Sequence, residues 1–243
     1  MKVHIGCSGY SYDDWKESFY PNDLSQDEWL SFYAKEFDTV EINNTFYKFP
    51  EKDTLKKWVD QTPDDFLFSI KAHRFFTHMK KFNVDQSFRE KLDNFQASLK
   101  PLKKRAGCVL WQLPGNLHKN ISRLESLCQE LDRDFIHALE FRHGSWFDQE
   151  VYDFMQKNNL VFCILSAPDD LPEDTLATHS TAYVRFHGKK QWYDYLYSEK
   201  ELKEWSKRLK DLESAEQVFV YFNNDKHGNA VKNAQTLKEL YKG

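Results

Sequence analysis

The sequence predicts a single (β/α)8 barrel of the TIM type, an α/β fold in which eight parallel strands alternate with helices. The chain has 243 residues, a length that such barrels commonly fill as one domain, so residues 1–243 are assigned to one barrel domain. Short runs rich in β-branched and aromatic residues alternate with longer polar segments of helical periodicity, which is the pattern of βαβ units. Eight such runs occur, spaced by about 30 residues, the size of one βα repeat.

The predicted strands are apolar runs of five to eight residues, and their β-branched and aromatic residues are typical of strands. They lie at residues 3–7 (VHIGC), 37–43 (FDTVEIN), 66–71 (FLFSIK), 106–112 (AGCVLWQ), 135–142 (FIHALEFR), 160–165 (LVFCIL), 182–187 (AYVRFH) and 217–223 (QVFVYFN).

Helices are predicted from apolar residues at helical spacing and from capping signals. The clearest start is at Ser198, an N-cap residue followed by the acidic Glu199 and Glu201. Residues 166–181, between the sixth and seventh strands, contain two prolines, so the helix there is expected to be short or missing. The predicted helices lie at residues 26–36, 51–61, 86–100, 120–131, 147–158, 198–213 and 229–241.

Composition excludes several classes of protein. Hydrophobic residues make up 40% of the chain and charged residues 30%, which fits neither a disordered nor a membrane-embedded chain. No apolar run approaches the ~20 residues of a membrane helix, and the N-terminal residues lack the basic and apolar regions of a signal peptide, so a cytoplasmic location is expected. The net charge of −4 gives no general attraction to the phosphates of nucleic acid.

The cysteine and aromatic contents also indicate an ordinary reduced core. The four cysteines form no CxxC pair, which indicates structural thiols and neither a zinc site nor a disulfide framework. Aromatic residues make up 16% of the chain and recur throughout it, so most of them must fill the two cores of a barrel.

Five of the predicted strands end in two polar residues that flank one apolar residue. Residues i and i+2 of a strand share a face, so these polar side chains are expected to point to the barrel interior. In barrel enzymes the active site lies at this end of the strands. The pairs are Glu41 and Asn43, Ser69 and Lys71, Glu140 and Arg142, Arg185 and His187, and Tyr221 and Asn223, and Gln112 lies between Trp111 and Leu113.

The charges at these ends have two interpretations. Glu41, Glu140, Lys71, Arg142 and Arg185 include three cations and two carboxylates, which leaves one positive charge for an anionic ligand group. The alternative is an internal salt-bridge network that only stabilises the barrel, because buried charges must be either paired or used. The spread of the polar ends over five strands favours a site.

Several long segments together resemble the YecE-like proteins, also called the DUF72 family, over nearly the whole chain. They read IGCSGYSYDDWKESFYP, VEINNTFYKFP, KAHRFFTH, LWQLPG, ALEFRHGSW, YVRFHG and YFNNDKHGNAVKNA. The resemblance implies a TIM-type barrel and a pocket at the polar strand ends, but no reaction, since the family has no established activity. Two departures are visible: Tyr10 stands where the family commonly has Trp, and Ser166 stands where relatives often have Asp.

Five residues are the candidate catalytic groups. Glu41 and Glu140 are candidate general acids or bases, because mutual proximity or burial raises the pKa of one carboxyl while an arginine keeps the other ionised. His187 is a second candidate for proton transfer. Lys71 is a candidate Schiff-base amine if it is desolvated beside Arg142, and a salt-bridge partner otherwise. Arg142 is expected to stabilise developing negative charge.

The candidate substrate-binding residues are aromatic, amide and arginine side chains around the same mouth. Tyr10 and Trp15 are expected to stack on a sugar ring or a base, and the arginines to bind an anion. The amide-rich loop before the last helix is a weaker candidate for phosphate binding. The full set is Tyr10, Trp15, Asn43, Arg74, Gln112, Arg185, Asn223 and Asn224.

These residues predict an enzyme acting on a small anionic metabolite, phosphorylated or carboxylated, or on a sugar-like one; a glycosidase using both carboxylates is ranked lower. The alternative is a non-catalytic module that binds a nucleotide or nucleic acid, against which the net charge of −4 counts. Neither a GxxxxGK[ST] loop nor a GxGxxG or GxSxG motif occurs. No cofactor is predicted, and a divalent metal is disfavoured because the interior cations oppose it. The expected partner is a small-molecule ligand, with no membrane; the oligomeric state is left open.

Overall fold

The computed structural model describes residues 1–242, apart from the side chain of Lys103, and its strands form one eight-stranded sheet. Every neighbouring pair is parallel, in the order β1-β8-β7-β6-β5-β4-β3-β2. The predicted fold class is therefore confirmed. The strands are β1 (Lys2–Cys7), β2 (Thr39–Ile42), β3 (Leu67–Lys71), β4 (Ala106–Gln112), β5 (Ile136–Glu140), β6 (Val161–Ser166), β7 (Thr181–Phe186) and β8 (Gln217–Phe222).

The cylinder closes between β1 and β2, where the strand ends meet through a parallel bridge from Ser8 to Glu41. Tyr33 joins the two strands below that bridge: its hydroxyl accepts from the backbone N–H of Cys7 at 2.7 Å and donates to the carbonyl of Thr39 at 3.0 Å. Gly6 makes this approach possible, because a Cβ at that position would lie 2.3 Å from the Thr39 carbonyl oxygen. A tyrosine hydroxyl thus replaces part of the ladder that would otherwise close the barrel.

The helices surround this cylinder. They are α1 (Trp29–Glu36), α2 (Lys52–Asp60), α3 (Gln86–Leu99), α4 (Ile121–Glu130), α5 (Gln149–Lys157), α6 (Glu199–Lys210) and α7 (Asn229–Lys242).

Four details of the helices bear on the predictions. Residues 26–36 divide into a 3-10 turn, Gln26–Glu28, and α1. Residues 167–180 contain no helix, as the prolines there predict. Ser198 caps α6 in a full capping box with Glu201. Within residues 1–242, none of the helices combines the length and apolarity that crossing a bilayer requires.

Apolar residues form two cores, one inside the cylinder and one between the sheet and the helices. Inside lie mainly small and aromatic side chains, among them Cys163, Tyr183 and Phe219. The larger outer core contains most of the buried tryptophans, including Trp111 and Trp205. Because the inner core fills the lower part of the cylinder, the polar residues at the strand ends form its upper layer, as the period-2 alternation of a strand requires.

Candidate functional site

The polar layer at the carboxyl ends of the strands is built around one arginine. The Arg185 side chain is fully buried, and its two terminal nitrogens bind carboxylates on either side. Nη2 lies 2.6 Å from Oε1 of Glu41, and Nη1 binds Oε2 of Glu140. Tyr183 donates from its hydroxyl to the other Glu41 oxygen at 2.6 Å. One guanidinium thus links β2, β5 and β7 across the interior.

Glu140 is the most heavily bonded of these groups. Besides Arg185, its Oε1 accepts from Nε of Arg142 at 2.6 Å and from Nε2 of Gln112 at 2.8 Å. Burial by itself would raise the pKa of Glu140, but Arg185, Arg142 and His187 hold that pKa well below its usual range. The ion pairs around Glu140 therefore favour its ionised form at neutral pH.

His187 fills the space between the two arginines. Its Nε2 lies 3.2 Å from Nη1 of Arg185, 3.3 Å from Nη2 of Arg142 and 3.3 Å from Oε1 of Glu140, and Asn223 contacts its Nδ1 at 3.1 Å. Burial, followed by repulsion from the arginines, lowers the pKa of His187 to about 3, although Glu140 opposes the shift. The ring is therefore neutral at pH 7.

Glu41, Arg185, Glu140 and Arg142, here called the ion network, contain two anions and two cations. Their charges cancel, so the network by itself provides no excess charge for a ligand. The network is also largely inaccessible to a ligand, because the side chains of Glu41, Glu140 and Arg185 are fully buried and that of Arg142 is 15% exposed. This arrangement has the form of the salt-bridge network that the sequence left open as an alternative.

Lys71, at the end of β3, carries the remaining positive charge. Among the described residues its ammonium has no ion-pair partner; Nζ lies 4.4 Å from the centre of the Phe46 ring, in a cation–π contact. Burial and the Arg185 guanidinium lower the pKa of Lys71 to about 7, against the opposing effect of Glu140 and Glu41. Lys71 is thus about half neutral amine at pH 7.

Asp225 is a residue that the sequence reasoning missed. It lies in the loop after β8, and within residues 1–242 its carboxylate has no cationic partner. Burial raises the pKa of Asp225 to about 6, with a smaller contribution from the like charge of Asp14. The signal that could have found it is the i, i+2 spacing from Asn223, which continues the inward face of the strand into the loop.

Lys71 and Asp225 line the same cavity, of about 340 Å³, here called the mouth cavity. Its other walls are aromatic rings and amides, four of which were not predicted from the sequence: Tyr12, Phe46, Tyr47 and Tyr193. Since Lys71 and Asp225 form no ion pair with each other, the cavity keeps the two charges apart. The complete lining is Tyr12, Asn43, Phe46, Tyr47, Lys71, Tyr193, Asn223 and Asp225.

The loop after β7 covers the Arg142 side of this cavity. The Trp192 ring lies 4.2 Å from the Arg142 guanidinium carbon, and the Tyr193 hydroxyl accepts from Nη1 of Arg142 at 3.2 Å. Tyr193 adopts a left-handed backbone conformation, with φ of 64°. Its ring thereby bridges Arg142 and the mouth cavity.

Six of the eight predicted substrate-binding residues lie in or next to the cavities, in three kinds of position. Asn43 and Asn223 line the mouth cavity, and Asn43 also lines an adjoining cavity of about 150 Å³ together with Tyr10. Arg74 is exposed at the rim, with its guanidinium 5.9 Å from the Tyr47 ring. Gln112 and Arg185 are bound to Glu140 beneath the cavity.

Two predicted binding residues lie away from the cavities. Trp15 is fully buried and packs on Tyr12, Phe19 and Tyr20, so its ring belongs to the core and not to the rim. Asn224 is also fully buried, and its Nδ2 donates to the Tyr195 carbonyl at 2.7 Å and to Asn233 at 2.9 Å. These bonds fix the loop after β8 to the loop after β7 and to α7. Neither burial was visible in the sequence, because both residues stand in polar, loop-like segments.

Potential metal ligands do not converge in the part of the chain that the structure describes: no group of three His, Cys, Asp or Glu side chains there could share an ion. The histidines lie on different elements, for example His137 within β5 and His78 in a π-helical turn after β3.

Comparison with known proteins gives a consistent family result. The family model "Protein of unknown function DUF72" matches residues 4–243. UPF0759 protein YunF of Bacillus subtilis is 30% identical over 269 residues, which cover 98% of this chain and 94% of YunF. UPF0759 protein YecE of Escherichia coli (strain K12) is 27% identical over 147 residues, 60% of this chain and 50% of YecE.

Two solved structures are similar over nearly their full length. A DUF72 family protein from Thermotoga maritima is 31% identical, with a TM-score of 0.92 and complete coverage of both chains. Another DUF72 family protein, from Enterococcus faecalis, is 22% identical, with a TM-score of 0.88. The match covers 99% of this chain and 96% of that chain, and it shows a similarity of fold alone.

Proposed function

The chain belongs to the DUF72 family, described as proteins of unknown function, and from that premise we propose that it is an enzyme acting on a small anionic or sugar-like metabolite in the mouth cavity. The observation that carries this proposal is the pair Lys71 and Asp225. Both face one cavity without partners, above a network whose other charges are all paired. A partly desolvated, unpaired charge is costly, so such groups concentrate at functional sites.

Both groups are suited to proton transfer near pH 7. A general acid or base works best when its pKa is close to the operating pH. The pKa of Lys71 is about 7 and that of Asp225 is about 6, so each populates both protonation states under neutral conditions. Glu41, Glu140 and His187, the other candidates, are fully buried beneath them.

The ion network then has a positioning role in this proposal. Arg185 links three strands and, together with burial, lowers the pKa of Lys71. Arg142 holds Tyr193 at the cavity wall. Aromatic rings at Phe46, Tyr47 and Tyr193 give the cavity apolar faces on which a sugar-like ring can stack.

The proposed partner is a small molecule and the proposed location is the cytoplasm. The four cysteines are all free and buried, as expected in a reducing compartment. The net charge of −4 disfavours nucleic acid.

A thermal-shift screen against small polar metabolites tests this proposal. A true ligand at a hundred times its dissociation constant stabilises the fold by about 2.7 kcal/mol. Lys71→Met should melt close to the unliganded wild type, because no ion pair is lost, yet show no ligand shift. Lys232→Met, which removes an exposed lysine from α7, is the matched control and should keep the shift.

Turnover of each hit, followed by NMR, distinguishes an enzyme from a binding module. We expect wild type to convert the hit and Asp225→Asn to bind it with at least a tenfold lower rate, in line with the 10²–10⁴-fold effect of acid–base groups. Binding without turnover, or hits confined to polyanions whose affinity falls steeply with salt, would favour the non-catalytic alternative.

A further inference from the structure

We propose that the substrate of the mouth cavity is an uncharged carbonyl compound, an aldehyde or ketone with hydroxyl groups, that condenses with the Lys71 amine to form an imine while Asp225 transfers the protons. This inference rests on the proposed function and specifies its substrate class.

The position of Lys71 suits a nucleophilic amine. Its Nζ is held over the Phe46 ring and has no carboxylate partner within the described residues. The guanidinium groups of Arg185 and Arg142 lie beneath it and disfavour a second positive charge. Lysines that form Schiff bases are activated in this way, by desolvation and by a neighbouring cation.

The charges around the cavity argue against an anionic substrate. A site for phosphate or carboxylate usually offers a guanidinium with free donors. Here both terminal nitrogens of Arg185 bind carboxylates, and Arg142 is bound by Glu140, Tyr193 and the face of Trp192. Arg74 is exposed at the rim and does not line the cavity. Asp225 adds a negative charge to the cavity wall.

The remaining wall groups suit a polyhydroxy compound. Asn43, Asn223 and the hydroxyls of Tyr12 and Tyr193 offer hydrogen-bonding groups around the cavity. A cavity of about 340 Å³ lies at the lower end of the range for small-molecule sites. A carbonyl compound of a few carbons therefore fits better than a nucleotide.

The condensation is balanced without any oxidant or reductant. The Nζ lone pair attacks the carbonyl carbon, a C–N bond forms, and the carbonyl oxygen takes the proton of the Asp225 carboxylic acid. The nitrogen then returns one proton to the Asp225 carboxylate. In the second half, Asp225 protonates the hydroxyl, water leaves with the C–O electron pair, and the nitrogen lone pair forms the C=N bond. The products are a protonated imine and one water.

Reductive trapping tests this step. Wild type is incubated at pH 7 with dihydroxyacetone and cyanoborohydride, and the modified peptides are located by mass spectrometry. Because the pKa of Lys71 is about 7 while that of an ordinary lysine is near 10.4, Lys71 holds on the order of 10³ times more neutral amine. We expect labelling at Lys71 to be at least tenfold faster than at Lys232, and slowed by Asp225→Asn.

Further measurements distinguish a failure of the imine proposal from a failure of the proposed function. Lys71→Arg keeps the charge but not the nucleophilic amine, so it should lose the label. Equal labelling of Lys71 and Lys232 would overturn the imine, and if metabolite binding still depended on Lys71, the proposed function would remain. Pyruvate, an anionic ketone, should label Lys71 more slowly than dihydroxyacetone; faster labelling by pyruvate would overturn the uncharged substrate class.

Discussion

Replacing Glu140 by glutamine tests the ion network most directly. The amide has nearly the same shape as the carboxylate, so the packing is preserved, but the charge and one of the two acceptor oxygens are lost. In the native protein that charge accepts bonds from Arg185 and Arg142. In Glu140→Gln, Arg185 keeps Glu41 as its one carboxylate partner, and Arg142 has no carboxylate partner.

The expected loss follows from those two bonds. A hydrogen bond to a charged group contributes about 1.5–3 kcal/mol, so two of them contribute roughly 3–6 kcal/mol. Breaking a buried ion pair by removing one partner costs about 3–5 kcal/mol. Both routes place the loss near 3–5 kcal/mol, which for a chain of this length lowers the melting temperature by about 6–20 °C.

Equilibrium denaturation and thermal melting at pH 7 measure this loss. The matched control is Glu199→Gln, which removes the charge of an exposed pair with Lys203 at the start of α6 and should cost less than about 1 kcal/mol. If Glu140→Gln were no more destabilising than Glu199→Gln, the buried network would not stabilise the barrel and our reading of its energetics would be wrong.

Two more predictions concern the interior. The pKa of His187 is about 3 in the folded protein and near 6.5 in the unfolded chain, so between pH 6.5 and pH 3 only the unfolded state takes up this proton. The free energy of unfolding therefore falls by roughly 1.4 kcal/mol per pH unit as the pH is lowered through this range. In denaturation curves measured across this range, His187→Asn should remove that slope, and an unchanged slope would contradict the prediction. Gly6→Ala should separate β1 from β2, because its Cβ would lie 2.3 Å from the Thr39 carbonyl oxygen. We expect the free energy of unfolding to fall by about 1–3 kcal/mol and the Cys7 amide to exchange its hydrogen faster. An unchanged stability would show that the two strands adjust to the added methyl group without cost.

Much of the fold was predictable because its signals are local. The eight strands were predicted within one to two residues of their observed bounds, since each is a short apolar run between polar helical segments. The missing helix after β6 followed from two prolines. The polar strand ends also followed from local spacing, because i and i+2 share a face whatever the neighbouring strands do.

Which charged side chains of the candidate site are paired and which are unpaired was not predictable in the same way. The sequence contains three interior cations and two carboxylates, but their pairing depends on register and on distances across the cylinder. Only the assembled barrel shows that Arg185, on β7, binds both carboxylates and that Lys71, on β3, has no ion-pair partner within the described residues.

The sequence by itself thus determined the number of strands, their order along the chain and the polar character of their ends, because those properties depend on residues a few positions apart. The tertiary structure decided which charges cancel, which two face the mouth cavity, and that Trp15 and Asn224 are buried. The physical reason is that burial and Coulomb energies depend on distances between residues far apart in the chain.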